Sequence, residues 1–492
     1  MKKTIPFIMA LFIMSCAGKD KDVLRIGIGD ELIGYDPHTQ DEVVTMEVLG
    51  NIYESLVAFD ADMKLVPVLC TGYANVNDRT WRFYIRPGVK FHDGKVMSGK
   101  DVLYSLKRAR DEQLSVYRTM LSVVDKIILV DSLTIELSTI KARPNLVNAL
   151  TLISIIPEEC DPSSNPLGTG PYRINRIKAP LLMERNDSYW GEKPFFKKVE
   201  IRVLRDDSTR MSMLLDGKID IDANLVEMYR TRLSSDENVI LETRPGTTLT
   251  ILGLNTAGIF KDNPLSDVRV RRAISLAVDR SQMVTVACHG HGSPANQLAT
   301  QMVFGYNPGI KELEYDPDEA RRLVKQVNPS DSIDLTLNVS SAAWREGGMI
   351  ADYMRQVGIS LKVDTLSWNE LYDSIESGEA KFYLMGFGYG YGDVSEFIND
   401  MVHSRSPGSD FGSRNRSGYS NKELDRVIEE ADHEFDPFRR KSMLQEAMQM
   451  ISTDLPFIPL YVRDSCYGLR KGLKWEQKTA SMLLVKEIGL KP

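Results

Sequence analysis

Trp81-Arg82-Phe83-Tyr84-Ile85-Arg86-Pro87-Gly88-Val89-Lys90-Phe91-His92-Asp93-Gly94-Lys95, with Asp101-Val102-Leu103-Tyr104-Ser105-Leu106 shortly after it, is the stretch that decides how the rest of the chain reads. Its opening, Thr80 to Ile85, carries a strand signal. Further strand signals lie on either side: Val23-Leu24-Arg25-Ile26-Gly27-Ile28, Thr134-Ile135-Glu136-Leu137, Val199 to Leu204 with apolar/polar alternation, Leu335-Thr336-Leu337 and Leu361-Lys362-Val363. Helix signals sit between them. Val270, Ala273, Ile274, Ala277 and Val278 recur at helical spacing and lay one apolar face on a core. Asp316-Pro317-Asp318-Glu319 reads as an N-cap, an N1 proline and an acidic first turn, and Asp436-Pro437 opens a helix to about Ile451 in the same way. Leu214-Leu215-Asp216-Gly217 reads as a helix end with glycine in the left-handed cap. Mixed strands and helices, without an internal repeat, predict an α/β or α+β chain of several domains.

The composition agrees. The chain has 492 residues, 42% hydrophobic and 26% charged, long enough for two or three domains with cores. Its 61 basic and 68 acidic side chains leave a net charge of −7 with both signs mixed, and the lack of a long basic stripe argues against a nucleic-acid partner. The cysteines at 16, 70, 160, 288 and 466 form no CxxC pair, which argues against a zinc ribbon or a thioredoxin-like centre. The four after Cys16 are compatible with pairing outside the cell, and sequence does not decide whether they pair. Lys2 and Lys3 precede an apolar stretch, Ile5 to Met14, too short for a permanent membrane span, so residues 1–15 read as a signal peptide. Ile13-Met14-Ser15-Cys16 is similar to the bacterial lipobox, which makes Cys16 the expected lipidated residue and residues 16–21 a polar tether. The mature protein is then anchored to a membrane without crossing it.

The opening stretch, read with others in order, resembles the large bacterial extracellular solute-binding proteins of family 5, the oligopeptide-, dipeptide- and nickel-binding type. The other pieces are Tyr53-Glu54-Ser55-Leu56, Pro67-Val68-Leu69, Gly168-Thr169-Gly170-Pro171-Tyr172, Arg185-Asn186-Asp187-Ser188-Tyr189-Trp190-Gly191, Gly217-Lys218-Ile219-Asp220 and Leu254-Asn255-Thr256. Asp267-Val268-Arg269-Val270-Arg271-Arg272-Ala273-Ile274, Asp279-Arg280 and Asp454-Leu455-Pro456-Phe457-Ile458-Pro459-Leu460-Tyr461 complete the set. The resemblance implies an α/β, periplasmic-binding-protein-like fold of two lobes with an extra inserted domain (type II, cluster C-like). It places residues 22–57, 170–255 and 466–492 in the first lobe, 58–169 in the inserted domain and 256–465 in the second lobe. It implies a small solute such as a peptide held between hinged lobes, delivery to the permease of an ABC importer, a monomer, and an extracytoplasmic, lipid-anchored location. No cofactor and no catalytic residue are expected.

Peptide-binding relatives usually carry a tryptophan and, three positions on, an aspartate that holds the ligand's α-amine, because a buried ammonium is costly unless a carboxylate meets it. The matching stretch here is Gly386-Phe387-Gly388-Tyr389-Gly390-Tyr391-Gly392-Asp393. Phe387 stands at the tryptophan position and Gly390 at the aspartate position, while Asp393 matches the second acidic position. Either Asp393 serves the amine by another loop path, or the ligand has no amine and is a modified peptide, a sugar-like solute or another small molecule. Phe387, Tyr389, Gly390, Tyr391 and Asp393 are therefore candidate ligand contacts, the aromatic rings offering area with polar tips. Asp41, Asn255 and Trp368 join them by family position, each with a bland alternative as a surface carboxylate, a strand-end polar group or a core tryptophan.

Three other readings compete. Cys288-His289-Gly290-His291 brings soft or borderline metal ligands close together, but not at the spacing of a known zinc site, so no metal site is assigned and a metal chelate is a minority ligand. A solute sensor or chemoreceptor would use the same fold. An exported hydrolase would need a nucleophile with its base or a metal motif. The sequence holds no G-x-S-x-G, HExxH or Walker A pattern, and Gly27-Ile28-Gly29-Asp30-Glu31 lacks the third glycine of a dinucleotide loop.

Overall fold

In a computed structural model, residues 21–492 are described except 159, 260, 312–313, 330–331, 407–410, 477–482 and 492. The expected signal peptide, Cys16 and the tether before Lys21 lie outside the described residues. The deciding stretch builds the core of a four-stranded antiparallel sheet, in the order Cys70–Asn77, Thr80–Ile85, Thr134–Thr139 and Val124–Asp131. Strand alternation buries Phe83 and Ile85 and turns Tyr84 to solvent. Val89 and Phe91 continue into the same core, and helix Gly99–Asp111 lays Val102 and Leu106 against it. That helix starts where Asp101 reaches back to accept the Ser98 N–H at 2.8 Å.

His92 ties this domain to the chain's return. The Gly168 N–H donates to His92 Nδ1 at 3.2 Å, so Nε2 carries the proton and donates to the Gly170 carbonyl at 3.0 Å. Burial lowers the His92 pKa to about 4. His38 is likewise lowered to about 4 by burial, with Nε2 2.8 Å from the Ser154 carbonyl. Both imidazoles are neutral in the fold and protonate near 6.5 once unfolded. The stability they confer is complete above that pH and is lost as pH falls toward 4. The difference in melting temperature between the wild type and His92→Gln is therefore expected to shift against the wild type by a few degrees as pH falls from 7 to 5; an equal slope in both proteins would remove His92 from the account.

Two larger sheets carry the lobes. The first has seven strands in the order Val239–Arg244, Ser465–Arg470, Ile221–Asp222, Val23–Ile28, Lys198–Val203, Leu181–Arg185 and Tyr172–Arg176. Val23–Ile28 runs parallel to both neighbours and is the buried centre, with Leu24, Ile26 and Ile28 in the core. The second has six strands in the order Gly292–Pro294, Phe457–Arg463, Thr248–Leu254, Phe382–Gly388, Ile333–Ser340 and Ile359–Leu366. Ile333–Ser340 and Ile359–Leu366 are parallel, as the intervening helix Trp344–Gln356 requires. The expected helices form at Val268–Ala277, Pro317–Val327 and Pro437–Asp454; Asp316 caps the second by accepting the Glu319 N–H at 2.9 Å. Gly217 has φ 63°, just past the helix ending at Leu215.

The chain crosses between these sheets at residues 245–247 and again at Asp464. Thr248–Leu254 hydrogen-bonds on both sides within the six-stranded sheet. By pairing it belongs with the second lobe, whereas the resemblance carried the first lobe to residue 255. In that sheet the strand's Leu249, Ile251 and Leu252 are fully buried.

Candidate functional site

The loop that follows strand Phe382–Gly388 leaves the second lobe and meets the inserted domain. Asn148 Nδ2 donates to the Tyr391 carbonyl at 3.1 Å, and Asn145 Nδ2 donates to Ser395 Oγ at 2.9 Å. Below them Arg143 Nη1 bonds both oxygens of Asp432 at 2.9 and 3.0 Å. Trp81 packs against Phe435 with ring centroids 5.9 Å apart. These contacts fasten the inserted domain to the second lobe at the point where the glycine-rich loop turns.

Beside this junction lies a cavity of about 440 Å³, within the range of small-molecule sites. Its walls come from the first lobe and the inserted domain: Gln40, Tyr53, Glu54, Ala58, Tyr117, Leu152, Ser154, Trp190 and Lys486 are among the lining residues. Most of this surface is aromatic or aliphatic, with a few polar groups able to orient a solute. Glu54 is held by Tyr189 Oη at 2.7 Å, Trp190 Nε1 at 2.8 Å and Thr169 Oγ1 at 3.0 Å, all donating. Those bonds hold the buried carboxylate and fix the Trp190 ring at the wall.

Gly390 of the second-lobe loop stands near the wall residue Leu152, although no described residue of the second lobe lines the cavity. A Cβ at Gly390 would stand 3.7 Å from Leu152 Cδ1, on the cavity wall, and 3.6 Å from Glu396 Oε2. Glu396 thus fills the space beside the glycine. Its Oε2 accepts the Gly390 N–H at 2.8 Å, and Oε1 accepts those of Tyr391 at 2.9 Å and Asp393 at 3.3 Å. Burial pushes the Glu396 carboxyl up to about 8, the three N–H donors pulling against it and Asp393 adding to the rise. Glu396 has no ion-pair partner among the described residues.

The candidates named from sequence divide as follows. Phe387 is half-buried, its ring edge-on to Tyr389 at 5.1 Å and to Phe397 at 4.8 Å. Tyr389 is buried and donates its hydroxyl to the Leu298 carbonyl. Gly390 is exposed and Tyr391 half-buried at the junction. Asp393, offered as a ligand anchor, is 1% exposed and fully engaged. Arg440 Nη1 donates to its Oδ2 at 2.5 Å and Nη2 to its Oδ1 at 3.0 Å, while Ser395 donates twice more to Oδ1. A carboxylate so buried and so paired holds the loop. Asp41 is exposed, one residue past the lining Gln40.

Asn255 and Trp368 do not join this group. Asn255 accepts the Ala257 N–H at 3.1 Å and borders a separate polar depression with Arg405, Arg416 and Tyr419. Trp368 is 55% exposed at the start of helix Trp368–Ser377. Around Cys288, His289 takes φ 46° past a helix end, and among the described residues no three His, Cys, Asp or Glu side chains converge on an ion position. Among those residues no helix is long and apolar enough to cross a membrane. Sequence reading missed Leu152, Trp190 and Lys486 as lining residues. Trp190 lay inside a matched motif, which was the available signal for it.

Comparison with known proteins agrees with this architecture. The glutathione-binding protein GsiB of Salmonella paratyphi A is 26% identical over 466 residues, 90% of this chain and 89% of that protein. HbpA2 from Haemophilus parasuis superposes with a TM-score of 0.85 at 20% identity, over 96% of this chain and 100% of the other. The ABC transporter-associated periplasmic binding protein DppA from Helicobacter pylori, solved with the peptide STSA, superposes with a TM-score of 0.78 at 22% identity, over 96% and 98%. Residues 64–409 match the family described as bacterial extracellular solute-binding proteins, family 5 Middle. With two lobe sheets joined by crossing strands, an inserted domain and a family match over most of its length, the chain belongs to family 5 of the bacterial extracellular solute-binding proteins.

Proposed function

We propose that this protein captures a small peptide-like solute outside the cytoplasm, closes its lobes over it and hands it to the permease of an ABC importer, without chemistry of its own. The observation that carries the reading is the cavity. Two domains wall it with aromatic and polar groups, and the second-lobe loop at Gly390 packs near its wall residue Leu152. The volume suits a solute of two or three residues, and the relatives' ligands, glutathione and a short peptide, point the same way. We assign the anchor to a lipid on Cys16, at the lipobox-like Ile13-Met14-Ser15-Cys16, and expect the mature protein to act as a monomer.

Native mass spectrometry tests both parts. Protein made from Ala17 onward and purified gently is expected to carry a set of small masses that decompose into amino acids. The full-length chain, extracted from membranes, is expected to begin at Cys16 and to bear a diacylglyceryl mass there. A single non-peptide species in the cleft would replace the peptide reading, and an unmodified Cys16 would remove the anchor.

A further inference from the structure

Resting on the reading of Cys16 as lipid-anchored, we infer that the end of the first lobe around Phe195 is a docking face for anionic lipid, the surface of the membrane that holds the anchor. The described chain enters the fold at Lys21-Asp22, and that entry is tied to one segment. The Asp22 carbonyl accepts the Lys197 and Lys198 N–H groups at 2.9 and 3.0 Å, and Lys197 Nζ donates to Asp22 Oδ2 at 2.8 Å. Strand Val23–Ile28 then runs beside Lys198–Val203, with Val23 opposite Lys198. Residues 16–21 reach at most about 20 Å when fully extended. A lipid on Cys16 therefore keeps this segment within roughly that distance of the headgroups.

The side chains there suit such a surface. Phe195 is 49% exposed beside the buried Phe196, the two rings edge-on with centroids 5.0 Å apart. Lys193, Lys197 and Lys198 flank it and are exposed. Lys193 and Lys198 pair with no acid among the described residues. Lys474 joins from the ribbon formed by Leu473–Trp475 and Ile488–Leu490: it lies opposite Gly489, and a Cβ at Gly489 would stand 4.0 Å from Phe195 Cβ. The acids nearby are Glu192, Asp22, which Lys197 pairs, and Glu476, which Lys474 pairs. An exposed aromatic ring among lysines settles at headgroup level, the ring toward the acyl chains and the ammonium groups on the phosphates. The whole chain carries a net charge of −7, so anionic lipid repels it overall and any attraction has to be local. The short tether makes that contact intramolecular, which lets a weak patch suffice.

Co-sedimentation with vesicles tests this, using protein that begins at Ala17 and so keeps every described residue. At about 0.1 M KCl it is expected to bind vesicles of equal parts phosphatidylcholine and phosphatidylglycerol, to ignore phosphatidylcholine alone, and to be released at about 0.5 M KCl. Each lysine at an anionic surface is worth about fivefold in affinity. The double variant Lys193→Glu, Lys198→Glu should therefore bind at least tenfold more weakly, and Phe195→Ser at least threefold, both melting within a few degrees of the wild type. The same charge change at exposed second-lobe positions, Lys325→Glu with Lys441→Glu, should alter binding by less than about twofold. No binding to either vesicle, binding indifferent to salt, or an equal loss in the second-lobe pair would overturn the docking face. The anchor, read separately as a diacylglyceryl mass on Cys16, would still stand. An unmodified Cys16 would take away the tether that brings this face to the membrane, and so overturn the assignment whatever the vesicles showed.

Discussion

Arg440→Met is expected to destabilise the protein by about 3–5 kcal/mol, the usual result of stripping one partner from a buried ion pair. Arg440 is 5% exposed and Asp393 1% exposed, so removing the guanidinium strands a carboxylate that water cannot reach. Arg440 also donates to the Ala431 carbonyl at 3.1 Å, which loses its partner in the variant. Asp393 anchors the loop from Tyr389 to Ser395, so the loss should appear in function as well as in stability. Thermal unfolding with and without a peptide gives both. The double variant Asp393→Asn, Arg440→Met should recover part of the lost stability, because no charge is then buried alone. If Arg440→Met melted within a degree or two of the wild type, the pair would not be holding the loop.

Gly246→Ala should also act strongly, at the hinge. Gly246 lies in the segment that carries the chain from one sheet to the other, and a Cβ there would run into the Arg463 carbonyl on the returning strand. The obstacle is backbone on a strand that is paired along its length, so the two crossings must move apart. The expected cost is about 3 kcal/mol, the upper end of the range for an added methyl in a packed site. The crossings set the hinge angle, so peptide affinity should fall at least tenfold even at a temperature where the variant is fully folded. Calorimetry well below the melting transition checks this. Wild-type affinity in a folded Gly246→Ala would mean that closure does not depend on the spacing of the two strands.

Much of the fold was readable because it is decided over short distances along the chain. Residues 80–85 alternate as a strand must, and the same strand appears with Phe83 and Ile85 inward. Asp316-Pro317 and Asp436-Pro437 start helices because each aspartate accepts N–H groups within its own first turn. The site was less readable. Tyr389 to Asp393 follow the strand that ends at Gly388, but the sequence offered Asp393 only as an amine anchor or as idle beside a ligand without an amine, and its buried partner Arg440 lies 47 residues away. Asn255 and Trp368 were placed by family position alone, and the structure sets them apart from the cavity.

What the sequence determined by itself, then, is where strands alternate, where helices are capped and which ordered motifs travel together, since each depends on neighbours a few bonds away. Only the tertiary structure decided that Asp393 is spent on Arg440, that the Glu396 carboxylate folds back beside Gly390, and that the chain changes sheets at residues 245–247. Periodicity tells which face of an element avoids water. It does not tell which distant residue meets that face, and for a buried charge that partner decides whether the group supports the fold or waits for a ligand.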